Sequence, residues 1–202
     1  MKCIFCKQPA GFLKSYHDDC QKSADNVRQQ IEDILNQYKS DDIVPAEVKQ
    51  QIRDLVVSNN KYKNYVESMV YDKTTIYNNE VVIYVESMLR ISESKNRCRM
   101  VETGFRYEKK PCWDNGTLIL DNSGIVIFTD KAIYFYVNSK TMRYPYNKIV
   151  NYGYDKIFSS KYAYLDVKTS SPFPHRFSFT DTYKGKDGLK EQNIVLFIHS
   201  LK

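Results

Sequence analysis

Four residues near the start of the chain, Cys3, Cys6, His17 and Cys20, are of the types that bind metal, and they are spaced as CxxC, a ten-residue loop, then HxxC. Each two-residue spacer lets a pair of side chains grip one ion from a single tight turn. Thiolate with imidazole is the donor set that a closed structural zinc centre prefers. A catalytic zinc keeps one position open for water or substrate, whereas here protein fills all four. The pattern therefore predicts a zinc knuckle over residues 1–20 whose ion folds the segment and performs no chemistry. Phe5, Phe12, Leu13 and Tyr16 are too few to form a core alone, so the segment depends on its ion for order. Three thiolates and a neutral imidazole leave the complex with a net charge of about −1. Lys2, Lys7 and Lys14 either offset that charge, contact phosphate or keep the knuckle soluble.

No catalytic motif accompanies this site. The sequence has no phosphate-cradling glycine loop, no GxSxG and no HExxH, and contains only seven glycines, so the usual nucleotide and hydrolase signatures are missing. His199 falls in the last apolar-periodic segment and reads as a solvent-facing residue. His175 could be paired with Asp166 or Asp181 as an acid and a base, but no nucleophile or oxyanion donor is recognisable beside it. The chain is read as a non-enzyme.

The 202 residues suffice for one ordinary domain with an appendage or for two compact modules. No apolar run approaches the ~20 residues of a membrane span, and MKCIFCKQPAG lacks the apolar stretch of a secretory signal. A thiolate zinc site and two further cysteines, Cys98 and Cys112, read as buried free thiols, predict a cytoplasmic protein. The net charge of +6 permits an acidic partner without selecting one. Its densest basic clusters, Lys95, Arg97 and Arg99, then Arg106, Lys109 and Lys110, read as a solvated connector.

Apolar residues recur at three and four through 21–38, marking an amphipathic helix that runs straight out of the knuckle. Pro45 opens a second helix with Val48, Ile52, Leu55 and Val56 on its buried stripe. Asn59 and Asn60 stop it, and Tyr62, Tyr65, Val66, Met69 and Val70 mark a third. The pentapeptide Tyr-Val-Glu-Ser-Met occurs at 65–69 and again at 84–88, and the second copy is read as the face of a fourth helix over about 78–91. Residues 21–92 thus form a helical region, with the polar stretch 92–99 as its hinge.

From Gly104 onward the composition turns to short runs rich in Ile, Val, Tyr and Phe, separated by Asp, Asn, Gly, Ser or Pro. About seven strands are predicted, at 117–120, 124–129, 132–138, 142–144, 149–154, 162–169 and 175–179. Alternation is clearest where Ala163, Leu165 and Val167 interleave with Tyr162, Tyr164, Asp166 and Lys168, giving one packed and one wet face. A last segment, 187–202, returns to helical spacing. The fold class is α+β: knuckle, helices, then an open β-barrel capped by a terminal helix.

Gly116-Thr117-Leu118, Gly124 to Phe128, Ala132-Ile133-Tyr134-Phe135 and the run Lys140 to Val150 resemble the bacterial pleckstrin-homology-like (PH-like) domains, over residues 104–202. The resemblance implies a seven-stranded bent barrel with a C-terminal helix. Phosphoinositide sites in that superfold use a basic first hairpin loop. The matching loop, Asp121-Asn122-Ser123, has no Lys or Arg, so lipid headgroup binding is not expected.

The resulting expectation is a zinc-stabilised interaction module of a bacterial or phage protein, with another protein as partner. An exposed groove or edge formed by Arg143, Tyr144, Tyr146, Lys148, Tyr152 and Tyr154 would serve as its site, with tyrosine rings as anchors. Nucleic-acid binding by the knuckle, through Lys2, Lys7, Lys14, Phe12 and Tyr16, is the rival reading. A phage-defence accessory or antitoxin that masks a partner protein is a third.

Overall fold

A computed structural model describes residues 1–12, 14–38, 45–70, 73–103, 106–113, 118–157, 160–170, 174–181, 194 and 198. The chain begins as a small loop pinned by a Lys2–Pro9 β-bridge and turned at Lys7 and Gly11, both with positive φ. Helix α1 (Asp18–Leu35) follows at once, with His17 at its N-cap. Its buried residues, Cys20, Ala24, Val27, Ile31 and Leu35, recur at four, three, four and four, the stripe expected of a helix lying on a core. Helix α2 (Ala46–Ser58) buries Ile52 and Val56. Helix α3 (Asn60–Val70) buries Tyr62, Val66 and Val70. Asn59 ends α2 and caps α3, its side-chain oxygen accepting the Tyr62 N–H at 3.0 Å.

The predicted fourth helix is instead a strand. Strand β1 (Val82–Thr103) runs through the second Tyr-Val-Glu-Ser-Met, while the first copy sits in α3. The same five residues adopt two conformations because their neighbours differ. Residues 81–85 are an unbroken apolar run containing three valines and an isoleucine, and such a run is buried on both sides of a sheet. Val82, Ile83, Tyr84 and Val85 are all buried. The expected hinge at 92–99 likewise lies inside β1.

Seven further strands follow: β2 (Arg106–Trp113), β3 (Leu118–Thr129), β4 (Ala132–Val137), β5 (Lys140–Pro145), β6 (Ile149–Ile157), β7 (Ser160–Val167) and β8 (His175–Asp181). Among the described residues all pairings are antiparallel, in the order β5-β4-β3-β1-β8-β7-β6, with β2 paired to β1. The sheet is therefore open, with β5 and β6 as its two ends. Asp121, Asn122 and Ser123, expected to form a hairpin loop, instead lie within β3, so their lack of Lys and Arg says nothing about lipid binding. The β4–β5 hairpin turns on Asn138 and Ser139, both in the left-handed region, as a two-residue primed turn requires. Alternation in β7 holds for the packed face, where Ala163, Leu165 and Val167 are fully buried; on the other face Tyr162 and Tyr164 are half-buried, but Asp166, expected to be wet, is buried because it pairs with Arg176 of β8. Of the expected terminal helix only Ile194 and Ile198 are described, both fully buried; the rest of 187–202 lies outside the described residues.

The helices pack on β1. The Tyr62 hydroxyl donates to the Ile83 carbonyl at 2.9 Å, and Arg28 of α1 reaches the carboxylate of Glu86 at 2.7 Å. Arg28 also donates to the Tyr84 hydroxyl, and its guanidinium lies over that ring at 4.4 Å. Burial and the neighbouring Glu86 push the Tyr84 hydroxyl's pKa up, so it stays a donor, to Glu86 at 2.5 Å. Glu86 is only 3% exposed, so Arg28→Ala strands a buried carboxylate. Because Tyr84 still serves it, the expected loss is about 2–3 kcal/mol in urea unfolding. No change beyond 0.5 kcal/mol would show that this contact does not tie the layers together.

Candidate metal centre and sheet edges

The Sγ atoms of Cys3, Cys6 and Cys20 and a ring nitrogen of His17 all lie within 4.8 Å of one another. His17 Nδ1 is 3.4 Å from Cys6 Sγ and 3.8 Å from Cys20 Sγ. A tetrahedral ion about 2.3 Å from sulfur and about 2.0 Å from nitrogen spaces those atoms roughly 3.5–3.8 Å apart, so the residues fit a metal ion. The other ring nitrogen, Nε2, lies 2.9 Å from the Pro9 carbonyl. Donation there fixes the proton on Nε2 and leaves the Nδ1 lone pair facing the thiols, the second contact that a ligating histidine ordinarily has.

Local structure explains the convergence. Cys3 and Cys6 flank a tight turn closed by Lys7 N–H to Cys3 C=O at 2.9 Å, and Cys20 N–H donates to the His17 carbonyl at 3.0 Å. The fourth candidate ligand, Cys20, thus rides on the first turn of α1. Burial raises the Cys3 pKa, but hydrogen bonds from the backbone N–H groups of Cys6, His17 and Phe5 outweigh it and bring the thiol down to about 6. Burial and the Cys6 thiol push Cys20 up. The loop is continuous with the core: Phe5 stacks on Tyr65 of α3 at 5.1 Å, and Asn64 donates to the Phe5 carbonyl at 2.8 Å. Lys2, Lys7, Lys14 and Phe12 stay exposed, Phe12 at 92%, while Tyr16 meets Phe5 edge-on at 6.3 Å.

The six residues expected to bind a partner fall around the gap between β5 and β6, in three different settings. Arg143 is an internal clamp. Its guanidinium pairs with Glu80 at 2.5 Å, approaches the Tyr134 hydroxyl at 3.2 Å and lies 4.8 Å from the Tyr77 ring centre. Tyr146 is buried, its hydroxyl donating to the Thr129 carbonyl at 2.7 Å. Tyr144 packs on Phe135 and Phe177 at 5.6 and 5.5 Å. Tyr152 and Tyr154 stand in register with Leu165 and Ala163, both fully buried, and the Tyr154 hydroxyl is itself buried. Lys148 alone of the six is exposed. Tyr146 therefore serves the core, while Tyr144, Tyr152 and Tyr154 are half-buried.

The sequence did not reveal the Glu80 cluster, whose carboxylate also receives Thr129 and Tyr134 hydroxyls at 2.7 and 3.0 Å. It borders a hollow of about 560 Å³ lined by Val57, Lys63, Val70, Ile76 and Tyr77. His175 pairs with Glu93 at 2.7 Å, and Asp166 with Arg176 at 2.7 and 2.8 Å, so neither carboxylate first suggested for His175 is its described partner. Cys98 and Cys112 lie on β1 and β2 in register with Pro111 and Arg97. Among the described residues no helix is long and apolar enough to cross a membrane.

No protein-family model matches the chain, and no curated protein matches it. Among solved structures the chain is similar to the Vps36 N-terminal PH domain, with a TM-score of 0.40 and 10% identity, covering 62% of this chain and 83% of that one. At that score the likeness carries no argument, and the fold stands on the strand order given above.

Proposed function

We propose that this protein is a non-enzymatic, zinc-stabilised module of the PH-like type that binds another protein by adding a strand to its open sheet. The observation that carries this reading is the sheet's order, in which β5 and β6 each have one paired neighbour among the described residues. An unpaired edge presents a row of N–H and C=O groups ready to receive an extended segment. On β6, Val150 is 50% exposed and Asn151 is exposed beside it. Gly153 is held close beneath Tyr164, whose hydroxyl lies 2.6 Å from where a Cβ would stand, so that position admits no side chain on the face that Tyr164 covers. The meander with its first strand paired to both second and last supports a PH-like fold, with the β1–β2 hairpin as an addition to it. Zinc is the ion that three thiolates and an imidazole select, and reduced thiolates suit the cytoplasm.

Val150→Lys places a charge on the exposed edge. A protein that co-purifies with the wild type is expected to be retained at least tenfold less well by this variant, while the melting temperature stays within about 2 °C. A partner held equally well by Val150→Lys would exclude strand addition at β6.

A further inference from the structure

Strand β1 is 22 residues long, but the sheet uses only part of it. Among the described residues its pairing with β3 runs to Glu93 and with β8 to Lys95; from Asn96 to Thr103 its described partner is β2. Eight rungs of two-stranded ribbon, roughly 27 Å at about 3.4 Å per residue, thus continue beyond the sheet. The two basic clusters read from sequence as a connector are the two strands of this ribbon. Residues 95–113 hold six basic and two acidic residues, which accounts for four of the chain's six net positive charges.

The register sorts these charges. Alternate rungs share a face of a ribbon, and Arg97/Cys112, Arg99/Lys110, Val101/Glu108 and Thr103/Arg106 are alternate rungs. That set contains four cations and one anion. The intervening set, Asn96/Trp113, Cys98/Pro111, Met100/Lys109 and Glu102/Tyr107, is mostly apolar or aromatic with balanced charge. Arg99 and Lys110 occupy one rung, and like charges directly opposite destabilise a strand pair unless an anion lies between them. A hairpin built this way is stabilised by a polyanion along its cationic face. Two strands about 4.8 Å apart, with their side chains, match a B-form major groove about 12 Å wide, whereas the A-form major groove is too narrow for such a ribbon.

We infer that the β1–β2 ribbon is a docking arm for double-stranded DNA, held through phosphates by Arg97, Arg99, Arg106 and Lys110. This assigns nucleic-acid contact to the ribbon and away from the knuckle lysines.

The test is fluorescence anisotropy of the full chain with a labelled 20-base-pair duplex of mixed sequence between 50 and 200 mM NaCl. Four phosphate contacts predict a slope of log K against log salt of about −3.6, a weakening of about 100-fold across that range. Exchanging all four cations for Gln should cost at least tenfold at 50 mM salt and bring the slope toward zero, while K2Q/K7Q/K14Q leaves both unchanged. The wild-type slope is read independently of any variant's folding. A wild-type slope near zero, loss of binding in the knuckle variant instead, or capture of duplex RNA or anionic vesicles in preference to the DNA would each overturn the inference.

Discussion

Stripping the metal with a chelator is expected to lower the melting temperature by roughly 8–16 °C, as for a loss of about 4 kcal/mol or more in a protein of this size. The effect is large because the centre is not an appendage. Cys3 and Cys20 are buried, Cys20 is part of the buried stripe of α1, and Phe5 stacks on α3. Losing the ion therefore frees the loop and the first turn of α1 together, and three thiols are left in a space that only a metal fills well. Cys20→Ser should reproduce the fall. Acid should act in the same direction. The Cys3 thiol sits at about 6 against an ordinary 9.0. Its thiolate thus contributes stability in full above 9, progressively less as the pH falls, and none once it has dropped through about 6. Because the ligands bind as thiolates, a colorimetric chelator is expected to report metal release as the pH is lowered from 7.5, where the chain is loaded. A melting temperature unchanged by chelation would mean that the loop is held by its packing alone.

Phe135→Ala is expected to cost about 3–5 kcal/mol in urea unfolding. Phe135 is completely buried and meets Phe177, Phe179 and Tyr144 at centroid distances of 4.9, 5.2 and 5.6 Å. It joins β4 to β8 across the interior of the curved sheet, so its removal opens a cavity bounded by strands from both halves of the meander. Phe12→Ala provides the contrast: at 92% exposure it should move stability by less than about 0.5 kcal/mol. Equal losses for the two would contradict the placement of the core.

The convergence of Cys3, Cys6, His17 and Cys20 and the strands after Gly124 were legible because they depend on local spacing. CxxC and HxxC converge through two tight turns, and residues such as Ala163, Leu165 and Val167 announce their face by alternation. What failed depends on distant partners. The pentapeptide at 84–88 carries the same information as the copy at 65–69, and only the neighbouring β-branched run and the β3 partner strand make it extended. The charged stretch 92–99 looked like a hinge because nothing local shows that β2 returns to pair with it. Tyr146 and Arg143 looked like surface anchors for the same reason: their partners, the Thr129 carbonyl and Glu80, lie 17 and 63 residues away. The openness of the sheet, on which the proposed function rests, is a property of strand order and has no signature in any short window.

The metal centre is tested most directly by X-ray absorption on the purified protein with its metal counted per chain. The structure predicts one ion per chain with three sulfur neighbours at about 2.3 Å and one nitrogen at about 2.0 Å, lost together in Cys3→Ser. An ion surrounded by oxygen, or a stoichiometry that Cys3→Ser leaves unchanged, would contradict it.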